Sequence, residues 1–163
     1  ANIPSAFVSG DAKFVQLFEP TASVFEQEGK GHVIASFGEA SGIIPYTVYM
    51  TKESRLAEDR DMIYRFTRAI YKAQKWVRET DAAEIAEVVA PYFEDSTIEI
   101  LTSSIERYKE QESFAFDPLL SKEAWDNLLH IMDEAGELPG DAPYDELVET
   151  DIAKQVISEV DGE

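Results

Sequence analysis

The first 51 residues alternate short apolar runs with breaks that contain glycine or proline. Three runs, KFVQLF (13–18), GHVIASF (31–37) and YTVYM (46–50), are rich in valine, isoleucine and aromatic residues, which is typical of β-strands. The first two are almost wholly apolar, as parallel strands covered on both faces would be. The pattern therefore predicts three short strands, the first two of them buried.

The stretch between the first two runs, TASVFEQEG, predicts a helix. Pro20 suits its first turn, because a proline there loses no hydrogen bond, and Gly29 suits its C-terminal stop. A strand, a helix and a strand in this order normally place both strands parallel in one sheet. We therefore expect residues 13–37 to form a parallel strand–helix–strand unit.

From Thr51 onward the pattern is helical, and we expect residues 53–160 to be mostly helix. Apolar residues recur every three or four positions, as in Ile63, Phe66, Ile70, Ala73 and Val77, in Ile98, Leu101, Ile105 and Tyr108, and in Trp125, Leu128 and Met132. Trp76 and Trp125 are interpreted as packing residues of these helices.

Polar residues mark where several of these helices should begin. Asp81–Glu84 and Ser96–Glu99 have the spacing of capping boxes, in which the first side chain bonds the backbone of the fourth residue. Ser121 is placed to cap a further helix that Gly136 would stop. These signals divide the region after residue 51 into about five helices.

Composition excludes several kinds of chemistry. The 163 residues include no cysteine, so disulfides, thiolate metal sites and cysteine nucleophiles are ruled out. His32 and His130 are too far apart in sequence to suggest a metal site. The chain has no serine-hydrolase elbow, phosphate loop or dinucleotide fingerprint. We expect no catalytic residue, no metal and no cofactor.

Charge argues against nucleic acid as a partner. The formal net charge is −19, and residues 111–163 hold fifteen acidic residues against two basic ones. Such a surface repels phosphate backbones and anionic lipid. The acidic residues are spread along helical segments rather than grouped like a calcium loop, so solubility or a salty habitat is the preferred interpretation.

The predicted elements include few strands and many helices. One strand–helix–strand unit and one further strand are too few for a typical sheet. The stretch FGEASGIIPY (37–46) contains glycine and serine and looks like a crossing, that is, a connection that leaves one sheet without a helix to return through. Either the chain is a small α+β protein, or it is half of a larger architecture.

An ordered series of segments resembles the second half of bacterial ABC-transporter substrate-binding proteins. The series runs from SGDAKFVQLFEP through GKGHVIAS and IPYT to IYRFTRAIYKAQKWV and WDNLLHIMDEAGELPGDAPYDELV. The group it resembles handles nitrate, sulfonates, taurine and the pyrimidine precursor of thiamine. The resemblance covers nearly the whole chain.

This resemblance implies an α/β fold, the C-terminal half of a two-lobed, type II periplasmic-binding-protein-like architecture. Residues 1–37 would end the second lobe, residues 38–50 would cross between lobes, and residues 51–163 would supply the helical C-terminal part of the first lobe. The N-terminal strands of the first lobe and the start of the second would lie outside this chain. So would a signal peptide and the lipid-anchored cysteine of Gram-positive forms.

The implied function is extracytoplasmic binding of a small-molecule ligand in the cleft between the lobes and its presentation to an ABC permease in the membrane. Two alternatives stay open. One is an enzyme similar to those that make the thiamine pyrimidine. The other is a fragment that self-associates, as a homodimer formed by exchange of lobes through the crossing, to cover apolar faces that a monomer would expose.

Candidate ligand-binding residues lie at two places. The first strand ends in LFEP, which places Phe18 and Glu19 at the carboxyl edge of a sheet, where ligands of open α/β sheets bind. Glu19 could accept hydrogen bonds from a ligand amino group, and Phe18 or Phe14 could stack on a flat ring. The alternative is that Glu19 only caps the following helix and complements its dipole, with the phenylalanines in the core.

The crossing supplies the second group. Ser41, Gly42 and Tyr46 could reach a ligand in the cleft through backbone N–H groups and hydroxyls, and Gly38 and Gly42 could permit hinge motion. An ordinary surface connection is the alternative. A carboxylate at the cleft would favour an amine or aminopyrimidine over an anionic ligand.

Overall fold

A computed structural model describes residues 3–162, and the elements it contains there are helices. Their bounds are α1 Ile3–Val8, α2 Thr21–Gln27, α3 Phe37–Ser41, α4 Glu53–Glu58, α5 Arg60–Glu79, α6 Ala82–Val89, α7 Ile98–Glu110, α8 Lys122–Glu134, α9 Tyr144–Leu147 and α10 Asp151–Asp161. A 3₁₀ turn at Ala90–Tyr92 follows α6.

The capping signals locate several helix starts to within one residue. The hydroxyl of Ser121 accepts a 3.1 Å hydrogen bond from the backbone N–H of Ala124, as predicted for α8. For α7 the cap is Thr97, which accepts from the N–H of Ile100 at 3.3 Å, one residue later than the predicted Ser96. Asp81 precedes α6 but its side chain makes no capping bond, so the first capping box is wrong in its contacts.

Within residues 3–162 the predicted strands are not formed. Helix α2 lies where the pattern placed it, but the runs 13–18 and 31–36 on either side are not strands, and Phe37 begins α3 instead of ending a strand. The run 46–50 is also not a strand. A strand exists only when its backbone pairs with a neighbour, and these runs do not pair with one another. The two-lobed α/β fold stays a prediction.

The chain divides into two compact units, each with its own core. The first contains the described residues up to Ser36 together with Thr80–Glu112. Here α6 packs on α7, and α2 also contacts α7. The buried apolar side chains of this packing are Ala82, Ile85 and Ala86 on α6 and Ile100, Leu101 and Ile105 on α7.

The second unit contains Phe37–Glu79 and the described residues from Ser113 onward. Its core lies between α5 and α10 and is formed by Tyr71, Ile152, Val156 and Val160. The apolar face predicted for α5, from Ile63 to Val77, is partly wrong, because Phe66 and Ala73 are exposed. Successive residues are rotated by about 100° around the helix axis, so Tyr71 lies roughly a third of a turn from the centre of that predicted face. Tyr71 points into the core instead, because its ring packs there while its hydroxyl donates a 2.8 Å hydrogen bond to Asp161 of α10.

No helix among residues 3–162 combines the length and apolar character needed to cross a bilayer.

Candidate functional site

The Glu-Pro junction lies at the start of α2, and its carboxylate is buried. The Glu19 side chain is 5% exposed and forms an ion pair with Nη1 of Arg107, on α7. Nη2 of the same guanidinium pairs with Glu26, near the end of α2. The peptide bond between Glu19 and Pro20 is cis. One arginine of α7 therefore holds both ends of α2.

The second carboxylate oxygen of Glu19 is also occupied. Oε2 accepts a 3.0 Å hydrogen bond from the backbone N–H of Ser23 and a 3.3 Å bond from the hydroxyl of Ser104. The backbone N–H of Glu19 donates to the hydroxyl of Tyr108 at 3.3 Å. The bond to Ser23 satisfies a free N–H of the first helical turn, so the contacts of Glu19 match the capping alternative. A ligand contact by Glu19 stays a prediction.

Electrostatics favour the charged forms of Arg107 and Glu26 in this cluster. Burial alone would lower the pKa of Arg107, but its bonds to Glu26 and Glu19 raise that pKa above its ordinary value. The pKa of Glu26 is lowered, first by the backbone N–H of Val33, which donates at 2.8 Å, and then, against burial, by Arg107. Two carboxylates and one guanidinium leave the cluster with one net negative charge.

Phe14 and Phe18, which precede Glu19 in the chain, do not lie in the core. Phe18 is 56% exposed and Phe14 is 73% exposed, so the alternative that buries them is wrong for the described chain. An exposed aromatic ring next to a fixed polar cluster can stack on a planar ligand. That role stays a prediction for Phe18.

The crossing is anchored in the second unit by Asn127, on α8. Its Nδ2 donates to the backbone carbonyls of Ser41 at 2.9 Å and Ile43 at 3.1 Å. Gly42 lies between these carbonyls with φ +72°, a conformation that glycine adopts at little cost. The Ser41 hydroxyl bonds the carbonyl of Gly38 at 3.4 Å. Tyr46 is 79% exposed.

The five predicted site residues fall into two groups. Phe18 and Glu19 belong to the first unit, whereas Ser41, Gly42 and Tyr46 belong to the second, and each group is described by itself. A single site that combines them stays a prediction. The stretch interpreted as a crossing begins with a short helix, α3, at Phe37–Ser41.

The sequence pattern did not indicate the roles of two residues at these places, Arg107 and Asn127. Arg107 stands three positions after Ser104 and one before Tyr108, so a helical wheel would have placed all three near one face. Nothing in the sequence near Asn127 indicates that its amide bonds a segment more than eighty residues earlier.

A second polar cluster joins α5 to α10. Asp161 accepts hydrogen bonds at 2.8 Å from both the Tyr71 hydroxyl and the Lys75 ammonium. The pKa of Asp161 is lowered by the bond from Lys75 and then by that from Tyr71, and the pKa of Lys75 is raised chiefly by its bond to Asp161. Because every member bonds another member, the cluster serves to hold the two helices together.

Residues 3–162 do not bring together three side chains of the kinds that hold a metal ion. A groove of about 390 Å³ runs beside α5 and α10 and is lined by Arg60, Asp61, Tyr64, Ile152, Gln155 and Glu159. Tyr64 and Glu159 in this groove are hydrogen-bonded to each other. This bond occupies the Tyr64 hydroxyl and one carboxylate oxygen of Glu159.

Comparison with known proteins gives one informative match. The chain is similar to the "Putative binding protein YtlA" of Bacillus subtilis (strain 168). The two are 50% identical over 159 residues, which cover 98% of this chain and 48% of the relative. The chain thus spans about half the length of this curated relative. No family profile matches the chain, and no solved structure matches it significantly.

Proposed function

We propose that the chain is part of an extracytoplasmic binding protein that captures a small solute between two lobes and presents it to an ABC permease. The observation that supports the proposal is the 50% identity, over nearly the whole chain, to a protein named as a binding protein. The ordered series of motifs, from LFEP to the crossing, supplies the finer assignment to a solute-binding role. In this role the protein does no covalent chemistry, and cleft closure creates the surface that the permease recognises.

The charge of the Arg107 cluster favours a particular class of solute. Glu19 and Glu26 together outweigh Arg107 by one negative charge, and all three are fixed by contacts within the first unit. A nitrate or sulfonate close to this cluster would be repelled. An amine or aminopyrimidine would be attracted, and its ring could stack on Phe18. We therefore favour an aminopyrimidine or another small amine-bearing solute.

Binding is tested by native mass spectrometry and calorimetry on the 163-residue chain, with the full-length Bacillus subtilis relative assayed in parallel. The solutes are an aminopyrimidine, taurine and nitrate at matched ionic strength. We expect saturable binding of the aminopyrimidine and no heat from the two anions. Binding of taurine or nitrate alone would overturn the solute class. Chemical turnover of the bound pyrimidine would favour the enzyme alternative instead.

A further inference from the structure

Three successive peptide groups at the end of α3 have their carbonyls bonded within the second unit. Nδ2 of Asn127 donates to the carbonyl of Ser41 at 2.9 Å and to that of Ile43 at 3.1 Å. Between them, the carbonyl of Gly42 accepts a 3.3 Å hydrogen bond from the Ser41 hydroxyl. Each of the three acceptors therefore has a partner.

The donor side of the same peptide groups is open. The N–H groups of Gly42, Ile43 and Ile44 have no acceptor within residues 3–162. In a planar trans peptide the C=O and N–H bonds point in opposite directions, so the N–H groups of Gly42 and Ile44 point away from Asn127. Pro45, which has no N–H, follows directly. These three N–H groups are called the donor run.

The chain closes its other glycine turns differently. Among residues 3–162, positive φ occurs at four glycines that follow helices, Gly10, Gly29, Gly42 and Gly136. At three of them, the N–H of the glycine and that of the next residue donate back to carbonyls of the preceding helix, at 2.8–3.1 Å, as in an ordinary helix C-cap. Of these four, Gly42 alone lacks both bonds. Its turn is held through its carbonyls instead, so its N–H groups are available to a ligand.

The geometry of the donor run indicates the chemistry of its ligand. Successive N–H groups at a change from right-handed to left-handed conformation form a concave site for electron-rich atoms. Gly42 is exposed and has φ +72°, directly after the last residue of α3. An anion is disfavoured, because the chain has a net charge of −19 and repels it at long range. A neutral acceptor, such as a carbonyl oxygen or an aromatic ring nitrogen, meets no such repulsion.

We propose that the donor run binds a neutral hydrogen-bond acceptor of the solute and that Asn127 is the residue that positions it. The inference rests on the proposed solute class, an aminopyrimidine, whose ring nitrogens are acceptors of this kind. It concerns the second unit alone. Asn127 acts through the backbone carbonyls that it holds and does not touch the solute itself.

The test compares two ligands of similar shape on the 163-residue chain. Aminopyrimidine and aniline are both flat rings with one amino group, but only aminopyrimidine has ring nitrogens. We expect aminopyrimidine to shift the amide proton resonances of the donor run downfield and saturably, and aniline to leave them unchanged. By calorimetry, aminopyrimidine should bind at least about fivefold more tightly, the effect of one hydrogen bond. Binding of aminopyrimidine without these shifts would overturn the inference, while the proposed function would stand.

Dimethyl sulfoxide separates the two proposals further, because it is a neutral acceptor with neither a ring nor an amino group. If it shifts the three resonances and aminopyrimidine does not, the donor run is confirmed as an acceptor site and the proposed solute class is wrong. If neither compound shifts them, the inference is wrong.

Asn127→Leu tests the positioning role. Leucine is similar in size but cannot donate to the two carbonyls, so the peptide groups can turn and the N–H groups lose their fixed direction. We expect the shifts to disappear and the roughly fivefold preference for aminopyrimidine over aniline to be lost.

Gly136→Ala is the matched control for this variant. It strains a glycine of the same φ, +72°, in the same unit, but the N–H of Gly136 is already bonded to the carbonyl of Asp133 at 2.9 Å. The control should lower the urea midpoint and keep the preference for aminopyrimidine. An unchanged preference in Asn127→Leu, or an equal loss in both variants, would contradict the positioning role of Asn127.

Discussion

The guanidinium of Arg107 and the carboxylate of Glu19, 88 positions apart in sequence, form an ion pair in which the Glu19 side chain is almost fully buried. The same guanidinium also binds Glu26. A buried charge depends on its partner, because removal of one member leaves the other uncompensated in a poorly solvated place. Arg107 is therefore the residue on which the attachment of α2 to α7 depends.

Replacement of Arg107 by methionine should strongly destabilise the first unit. Methionine has a similar length but leaves the Glu19 carboxylate unpaired, at a cost of about 3 kcal/mol. Urea unfolding of the variant measures this loss. The matched control is Arg65→Met, which breaks an exposed pair with Asp61 in α5 and should cost less than about 1 kcal/mol. Equal losses in the two variants would show that the Arg107 pair is no more important than a surface pair.

The second-unit cluster predicts a dependence of stability on pH. The pKa of Asp161 in the folded chain lies below its ordinary value of 3.8. Its contribution is therefore fully present above pH 3.8 and is lost as the pH falls through the lowered pKa. Asp161→Asn should reduce the urea midpoint at pH 7, and the difference from the unaltered chain should shrink at about pH 3.

Asp126→Asn is the control for this measurement. Asp126 pairs with Lys122 on the surface of α8, four residues away, and both side chains are more than half exposed. Such a pair contributes little, so the control should change the midpoint only slightly at either pH. If Asp161→Asn behaved in the same way, the Tyr71–Asp161–Lys75 cluster would not hold α5 to α10.

The helices could be predicted from the sequence because their hydrogen bonds are local. Ser121 and Gly136 bound α8 as expected, and α2 follows Pro20 as expected. The strands could not be predicted in the same way, because runs such as 13–18 become strands only when a neighbour supplies the paired backbone. Arg107 and Asn127 were missed for a related reason, since each acts on a segment more than eighty residues earlier.

The backbone conformation of the crossing predicts that replacement by alanine will cost more stability at Gly42 than at Gly140. Gly42 has φ +72°, and a Cβ there would lie 3.5 Å from Nδ2 of Asn127, an ordinary contact. Gly42→Ala should therefore cost about 1 kcal/mol through backbone strain alone. Gly140→Ala, where a Cβ would meet open space and φ is not positive, should change stability by less than about 0.5 kcal/mol. Equal thermal midpoints for the two variants would contradict the strained conformation of Gly42.

The last prediction separates the structural role of Glu19 from a role in solute contact. Both carboxylate oxygens of Glu19 already bind Arg107, Ser23 and Ser104, so Glu19→Gln should lower the urea midpoint, while loss of one negative charge should weaken aminopyrimidine binding only about twofold to threefold. Phe18 is 56% exposed, and removal of its stacking ring by Phe18→Ala should weaken solute binding about fivefold to tenfold. Calorimetry with the aminopyrimidine measures both affinities. A large loss of affinity in Glu19→Gln, with an unchanged urea midpoint, would show that the carboxylate leaves Arg107 to contact the solute.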